Sequence, residues 1–472
     1  MKRILALCAT AAMALSAQTF TSLYSFTGLD DGDSPSAGLI QATDGNLYGA
    51  SAGGAFGGGT VFAITPSGAL TTIYSFCALS ECADGEYPSG LIQATDGNLY
   101  GTTSAGGAFA GGTVFTMTLS GTLTTLYSFC ALSDCADGQS PGAALVQGVS
   151  GNLYGTTTAG GANPGPDGTG GGTVFKITSG GTLTTLYSFC SGGAECRDGT
   201  APSGLVQAAN GDFYGAAHSF GAHFQGTIFS ITPGGTLTTL HSFGSQSDDG
   251  SNPQGLVAAV GGELYGTTRL GGANSLGTVF SLTPSGTLTT LYSFCALSDC
   301  ADGSKPQAAL IQASDRNLYG TTYTGGVDDL DGTVFKITAG GTLTTLHHFD
   351  GKDGYMPDAP VVQDTNGSLY GTTQKGGPMG SGGYGTIFSL AIGLPPFVET
   401  QTTAGTVGAV VNILGSDLTG ATSVTFNGTA AAFTVVSEYL ITATVPTGAT
   451  SGAVQVVTPT GTLSSNLPFR VL

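Results

Sequence analysis

One recurring position in this chain carries side chains suited to acid–base chemistry in only part of its length. After Gly-Thr-Thr, or its variant Gly-Ala-Ala, stand Ser104, Thr158, His218, Arg269, Tyr323 and Gln374. His218 is a candidate general base, Tyr323 a candidate acid, and Arg269 a cation able to hold a carboxylate. Together they have the chemistry of a lyase-like elimination on an acidic glycan. His223 is a candidate metal ligand beside them, and Asp328, Asp329 and Asp331 form a run acidic enough for calcium, without a recognised loop pattern. An exposed strand end would also accept such residues with no role attached.

The elements that must position these residues are repeats. Leu-Tyr-Gly, once Phe-Tyr-Gly, recurs with its tyrosine at 48, 100, 154, 214, 265, 319 and 370, at spacings of 52, 54, 60, 51, 54 and 51. That is the length of a propeller blade or kelch-type unit, and no 3.6-residue apolar period supports a helical solenoid. In the second unit, residues 90–95 read as a strand, Asp96-Gly97-Asn98 as a hairpin turn, and 99–103 as a second strand. A glycine-rich loop leads to a third strand, 113–118, and Ser120-Gly121 turns into a fourth, 123–129. Four antiparallel strands per unit make a blade.

The seventh unit lacks the fourth strand and runs instead into Leu394-Pro-Pro-Phe397. The missing segment stands at the other end of the chain, as residues 20–26, Phe-Thr-Ser-Leu-Tyr-Ser-Phe. We therefore expect a seven-bladed β-propeller over 18–393, closed by its own N-terminal strand so that no blade is left with an open edge. Residues 394–472 lose the repeat marker and read as a small all-β domain.

Two rings follow from the repeat. Asp31, Asp84, Asp137, Asp198, Asp249, Asp302 and Asp353 each begin Asp-Gly-x-x-Pro. Seven carboxylates near a channel mouth would attract cations, whereas an Asp-Gly turn leading a proline into the inner strand needs no ligand at all. Gln41, Gln93, Gln147, Gln207, Gln312 and Gln363 fall on inner strands, with Ala258 as the exception, and are expected to bond between blades. Eight cysteines fall into close pairs between blades: Cys77 with Cys82, Cys130 with Cys135, Cys190 with Cys196, and Cys295 with Cys300. Disulfides are the reading that export favours, each worth roughly 2 kcal/mol for so short a loop. Zinc is disfavoured because the pairs lie a blade apart.

Glycine supplies 80 residues, charged residues only 9%, and 30 acidic against 11 basic residues give a net charge of −19. Such a surface repels phosphate backbones, so nucleic acid is not an expected partner. Residues 1–17 have the two basic residues, apolar run and small residues of a secretory signal peptide, with Cys8 inside the apolar run. The expected location is secreted, periplasmic or at the cell surface, and no further stretch is apolar enough to make an integral membrane protein.

The units resemble the GloVer tandem repeat of bacterial exported proteins in their Gly-Asn-Leu-Tyr-Gly-Thr-Thr, Gly-Gly-Thr-Val-Phe and Gly-Thr-Leu-Thr-Thr-Leu-Tyr-Ser-Phe segments, over roughly residues 20–392. The resemblance implies export and a propeller-like fold and brings no established activity. Residues 396–472, with Val424-Thr-Phe-Asn-Gly428 and Ile441-Thr-Ala-Thr-Val-Pro446, resemble the IPT/TIG type of Ig-like sandwich, which implies a spacer or assembly module.

Strand direction places the tight turns on one face and the variable loops, all the paired cysteines and the His218, Arg269 and Tyr323 positions on the other. Variable loops on a rigid frame are where binding evolves. The expectation is an exported or surface-associated binding or assembly protein using that face, with a glycan or surface protein as partner and no cofactor. The alternative is an exported lyase-like or hydrolase-like enzyme on acidic glycans. The chain has no tryptophan, so sugar stacking would fall to its 17 tyrosines.

Overall fold

The computed structural model describes residues 18–472 apart from 167, 194, 247 and 328–330. The expected leader, with Asp328 and Asp329, lies outside the described residues. Among those described, the chain is all-β, with no α-helix and only short 3-10 turns. Seven four-stranded antiparallel sheets follow one another. In the second, Glu86–Gln93, Leu99–Ala105, Thr113–Met117 and Leu123–Ser128 run in order from the inside outwards. In the seventh, the outermost place belongs to Thr19–Ser25, which pairs antiparallel with Thr386–Ala391.

Each blade buries both faces, and strand alternation sorts the side chains. In Leu-Tyr-Gly the leucine faces the preceding blade and the tyrosine the following one. In Thr-Val-Phe the valine faces forward and the phenylalanine back. Leu99 and Phe115 thus pack with Tyr48, Val61 and Phe76 of blade one, while Tyr100 and Val114 pack with Leu145 and Phe175 of blade three. The same composition joins blade seven to blade one: Phe26, Tyr370 and Ile387 meet Leu39, Leu47 and Phe62. A phenylalanine pair bridges each interface, 5.2 Å apart for Phe76 and Phe115 and 5.4 Å for Phe26 and Phe62. Tilted and edge-on aromatic pairs of this kind add about 1 kcal/mol beyond the area they bury.

A second set of contacts locks the blades near the variable face. The residue before each junction proline (Ser34, Tyr87, Ser140, Ala201, Asn252, Lys305 or Met356) has a left-handed backbone, with φ between 46° and 57°. That conformation is unusual before proline and costs on the order of 1 kcal/mol or more each. It turns the amide N–H onto the preceding blade, as Ser140 donates to the Gly111 carbonyl at 2.9 Å and Ser34 to that of Tyr384 at 2.8 Å. The proline then seats on the glycine before Thr-Val-Phe. A Cβ at Gly112, where φ is +91°, would strike the Thr103 carbonyl oxygen and stand 2.8 Å from Pro141 Cδ.

The inner strands come in two lengths. Blades two, four and five have inner strands eight or nine residues long, Glu86–Gln93, Thr200–Gln207 and Gly250–Ala258, whereas those of the others are two residues long, such as Ile40–Gln41. The cause is one residue. The long strands carry two residues between junction proline and leucine, as in Pro88-Ser-Gly-Leu91, and the short ones carry three, as in Pro141-Gly-Ala-Ala-Leu145. The extra residue throws the inner strand out of register, leaving a single bridge such as Gln139 with Ala159.

The C-terminal sandwich has two four-stranded sheets closed over Val398, Ile413, Val424, Phe426, Ile441 and Val456. It stands on the tight-turn face of the propeller. Gln401 Nε2 donates to Gln93 Oε1 at 3.0 Å, Ser416 and Thr365 share a hydroxyl bond of 2.8 Å, and Arg470 donates to the Ala209 carbonyl at 2.6 Å.

Candidate functional site

The two rings serve the fold. Each junction aspartate accepts from the outer strand and from the loop that follows it. Asp137 takes the Tyr127 hydroxyl at 2.8 Å and the N–H groups of Ala131 and Leu132 at 3.0 and 3.3 Å. In blades four and six histidine replaces the tyrosine, with His241 Nε2 3.1 Å from Asp249 and His347 Nε2 2.7 Å from Asp353. Burial, then the carboxylate bond, raises Tyr24 and Tyr74 to about 12. Sequence reasoning saw the tyrosine and the aspartate separately and missed that they meet.

Five glutamines bond across blades. Gln93 Oε1 accepts from Thr43 N–H at 2.9 Å, and Gln41 Oε1 does the same for Thr365 across the seventh-to-first junction. Gln207 bonds only within its own turn, to Gly211, and position 258 is alanine.

The cysteines pair locally. Cys77 is bonded to Cys82, Cys130 to Cys135, Cys190 to Cys196, and Cys295 to Cys300. In three of the pairs the second cysteine closes a short 3-10 turn: Cys82 ends Ser80–Cys82, Cys135 ends Ser133–Cys135 and Cys300 ends Ser298–Cys300. Cys196 closes a loop one residue longer, six positions after Cys190. These eight residues fasten the blade junctions and stand outside the candidate binding group. Among the described residues, the one cluster of potential metal ligands is Cys77, Cys82 and Glu86, and its sulfurs are already bonded to each other. His223 is exposed and belongs to no such cluster. Asp331 is raised by burial and by the neighbouring charges of Asp350 and Asp353.

The symmetry-breaking position brings its residues together over three adjacent blades. His218 lies in Phe213–Ser219, Arg269 in Leu264–Gly271, and Tyr323 directly after Leu318–Thr322. His218 is held below its ordinary pKa by burial and by the Arg269 charge. Tyr323 is raised by burial and by Asp358 and Tyr355, with Arg269 opposing them. Arg269 therefore stands within electrostatic reach of both, and its own side chain is exposed.

A fourth member went unrecognised. Asp358, next to the junction proline of blade seven, is pushed up to about 7 by burial. In the equivalent place other blades carry Ser36, Ser89, Gly142, Ser203, Gln254 and Gln307, so the lone acid was a visible signal. Four buried side-chain polar atoms lack a hydrogen-bond partner among the described residues, and two of them are His218 Nε2 and Asp358 Oδ1. Unpaired buried polar groups cost about 1–3 kcal/mol each and call for a reason. Tyr323 donates instead to Gln374 Oε1, at a long 3.4 Å, and among the described residues no hydrogen bond links it to His218. At neutral pH the group presents a neutral imidazole, a partly protonated carboxyl, a phenol and the Arg269 guanidinium.

Solved structures share the fold. The extracellular domain of a putative hybrid two-component system from B. thetaiotaomicron is 12% identical, with a TM-score of 0.51, and the match covers 96% of this chain and 57% of that one. The extracellular domain of a putative one-component system from the same organism is 10% identical, with a TM-score of 0.51, over 96% and 59%. A fungal alcohol oxidase in complex with copper is 14% identical, with a TM-score of 0.51, over 96% and 98%. The chain thus spans under two thirds of the two extracellular domains it matches. No curated protein matches it. Among the described residues no helix is long and apolar enough to cross a membrane. The IPT/TIG domain model matches residues 396–471. The Gloeobacter/Verrucomicrobia repeat model matches 11–169, 165–388 and 247–432, and to that repeat family the chain belongs.

Proposed function

We infer that this is an exported, non-enzymatic binding protein that holds an acidic glycan at the inner ends of blades four to seven, on the cysteine-bearing face. The observation that carries the reading is the pair of unpaired polar atoms, His218 Nε2, whose imidazole feels the Arg269 charge, and Asp358 Oδ1, whose carboxyl acts on Tyr323. Arg269 would take the carboxylate bidentately, and the neutral groups would take sugar hydroxyls. Four disulfides and a surface with a net charge of −19 suit a protein working outside the cytoplasm. Exposed Phe224, on the variable loop that follows His218 in blade four, offers an apolar face to a sugar ring.

The enzymatic reading has less behind it, because among the described residues no hydrogen bond couples His218 to Tyr323 as base to acid. The test is titration of the mature protein with uronic-acid oligosaccharides and their neutral counterparts. Acidic ligands should bind, and Arg269→Ala should weaken them at least about tenfold, equivalent to about 1.4 kcal/mol. Equal binding by Arg269→Ala, or no preference for acidic sugars, overturns the proposal. Ultraviolet absorbance from an unsaturated product would replace it with the elimination.

A further inference from the structure

The channel has a second end, where the C-terminal domain docks. There a cavity of about 370 Å³ is walled by Ile40, Ile92, Val146 and Val362 from the inner strands and by Leu414 from the docked domain. Into it the same domain contributes Glu399, the first residue of Glu399–Thr400. Among the described residues its carboxylate makes no hydrogen bond or ion pair, and it shares the cavity with aliphatic walls and the amides of Gln41, Gln93, Gln147 and Gln401. Gln401 is already committed to Gln93, and Asn412 donates to Gln401 Oε1 at 2.8 Å. Burial alone raises Glu399 to about 6. Half-buried and open to the cavity, the carboxylate loses part of its hydration, and a cation in the cavity would make up for that loss.

The lining decides what that cation is. Among the described residues that line the cavity, Glu399 is the one acid and no histidine or cysteine accompanies it, which does not make a divalent-metal site. Aliphatic walls around one acid fit a molecule with one cationic end and an apolar body, and the volume lies within the range of small-molecule pockets. The net charge of −19 raises the local concentration of cations.

We propose that the domain-capped end of the channel binds a monocationic organic amine, with Glu399 accepting the ammonium hydrogens and Ile40, Ile92, Val146, Val362 and Leu414 enclosing the alkyl part. The site is independent of the acidic-glycan site and uses none of its residues. Calorimetric titration of the full mature chain with n-hexylammonium chloride, against n-hexanol as the uncharged probe, tests it. Hexylammonium should bind, with Glu399→Gln weakening it at least about tenfold, hexanol at least about tenfold weaker, and Arg269→Ala leaving it unchanged. Val146→Trp, which fills the cavity and keeps Glu399, should abolish binding and decides the matter should Glu399→Gln fail to fold. Absence of heat at millimolar hexylammonium, equal binding by Glu399→Gln, or equal binding of hexanol overturns the proposal.

Discussion

Asp358 and two of the junction aspartates, Asp31 and Asp249, show how one residue type is driven in opposite directions by its surroundings. Asp358 is raised to about 7 by burial, against an ordinary value near 4. Between those values the folded chain keeps a proton that the unfolded chain gives up, so stability falls as pH rises from about 4 to about 7. Asp358→Asn should flatten that slope, leaving the smaller share of Glu399 and Asp331, and exceed the wild type at pH 8 by about 1–3 kcal/mol, the lower end applying if channel water reaches the carboxyl. Urea unfolding at pH 5 to 8 measures it, and an unchanged slope in the variant would exclude Asp358 as its source. Asp31 and Asp249 run the other way. Burial opposes their ionisation, but hydrogen bonds from Thr27, Tyr24 and Leu29, and from His241 and Ser245, outweigh it and leave both below the ordinary value. Their contribution is full above the unfolded pKa and is lost as pH falls through the folded one. His218, held low by burial and Arg269, also loses stability toward acid, from its unfolded pKa downward. His218, Arg269 and Tyr323 were legible because they break a repeat. Asp358 breaks one too, but it follows a proline of a repeated turn and reads in sequence as part of that turn.

At the scale of elements, the repeat made strand order and alternation readable, because Leu-Tyr-Gly and Thr-Val-Phe bury opposite faces in every unit. What stayed hidden was the effect of a single residue between junction proline and leucine, which decides whether an inner strand runs for eight residues or two. The left-handed residues before the prolines were equally hidden, since Ser, Tyr, Ala, Asn, Lys and Met share no propensity for that conformation. It is imposed by the preceding blade. Gly112→Ala should cost about 2–4 kcal/mol, combining an unfavourable φ with a collision against Thr103 and Pro141. Gly97→Ala, with φ +84° and nothing within 4 Å, should cost only about 1 kcal/mol. Thermal unfolding of the pair checks this, and equal losses would mean that the glycine is there for its φ alone.

For the whole molecule, residues 20–26 are where sequence and structure speak most directly to each other. Thr19–Ser25 lies against Thr386–Ala391, and Phe20 stacks on His347 at 3.7 Å and lies 5.5 Å from Phe388. Deleting residues 20–26 should destabilise the mature protein by at least about 3 kcal/mol and expose a strand edge that promotes aggregation. Unaltered solubility and melting temperature would refute closure by this strand. The docking of the C-terminal domain was not legible, because it depends on pairs such as Gln401 with Gln93 that are over 300 residues apart and follow no pattern. The register of the closing strand has a mechanical consequence. Thr19 pairs with Ala391, so the chain enters the seam and leaves it at the same end. Tension between the N-terminus and the C-terminal domain would peel that ladder one bond at a time rather than shear it whole. Under a pull on its two ends, the ring would open like a zip at blade seven while the other six blades stayed shut.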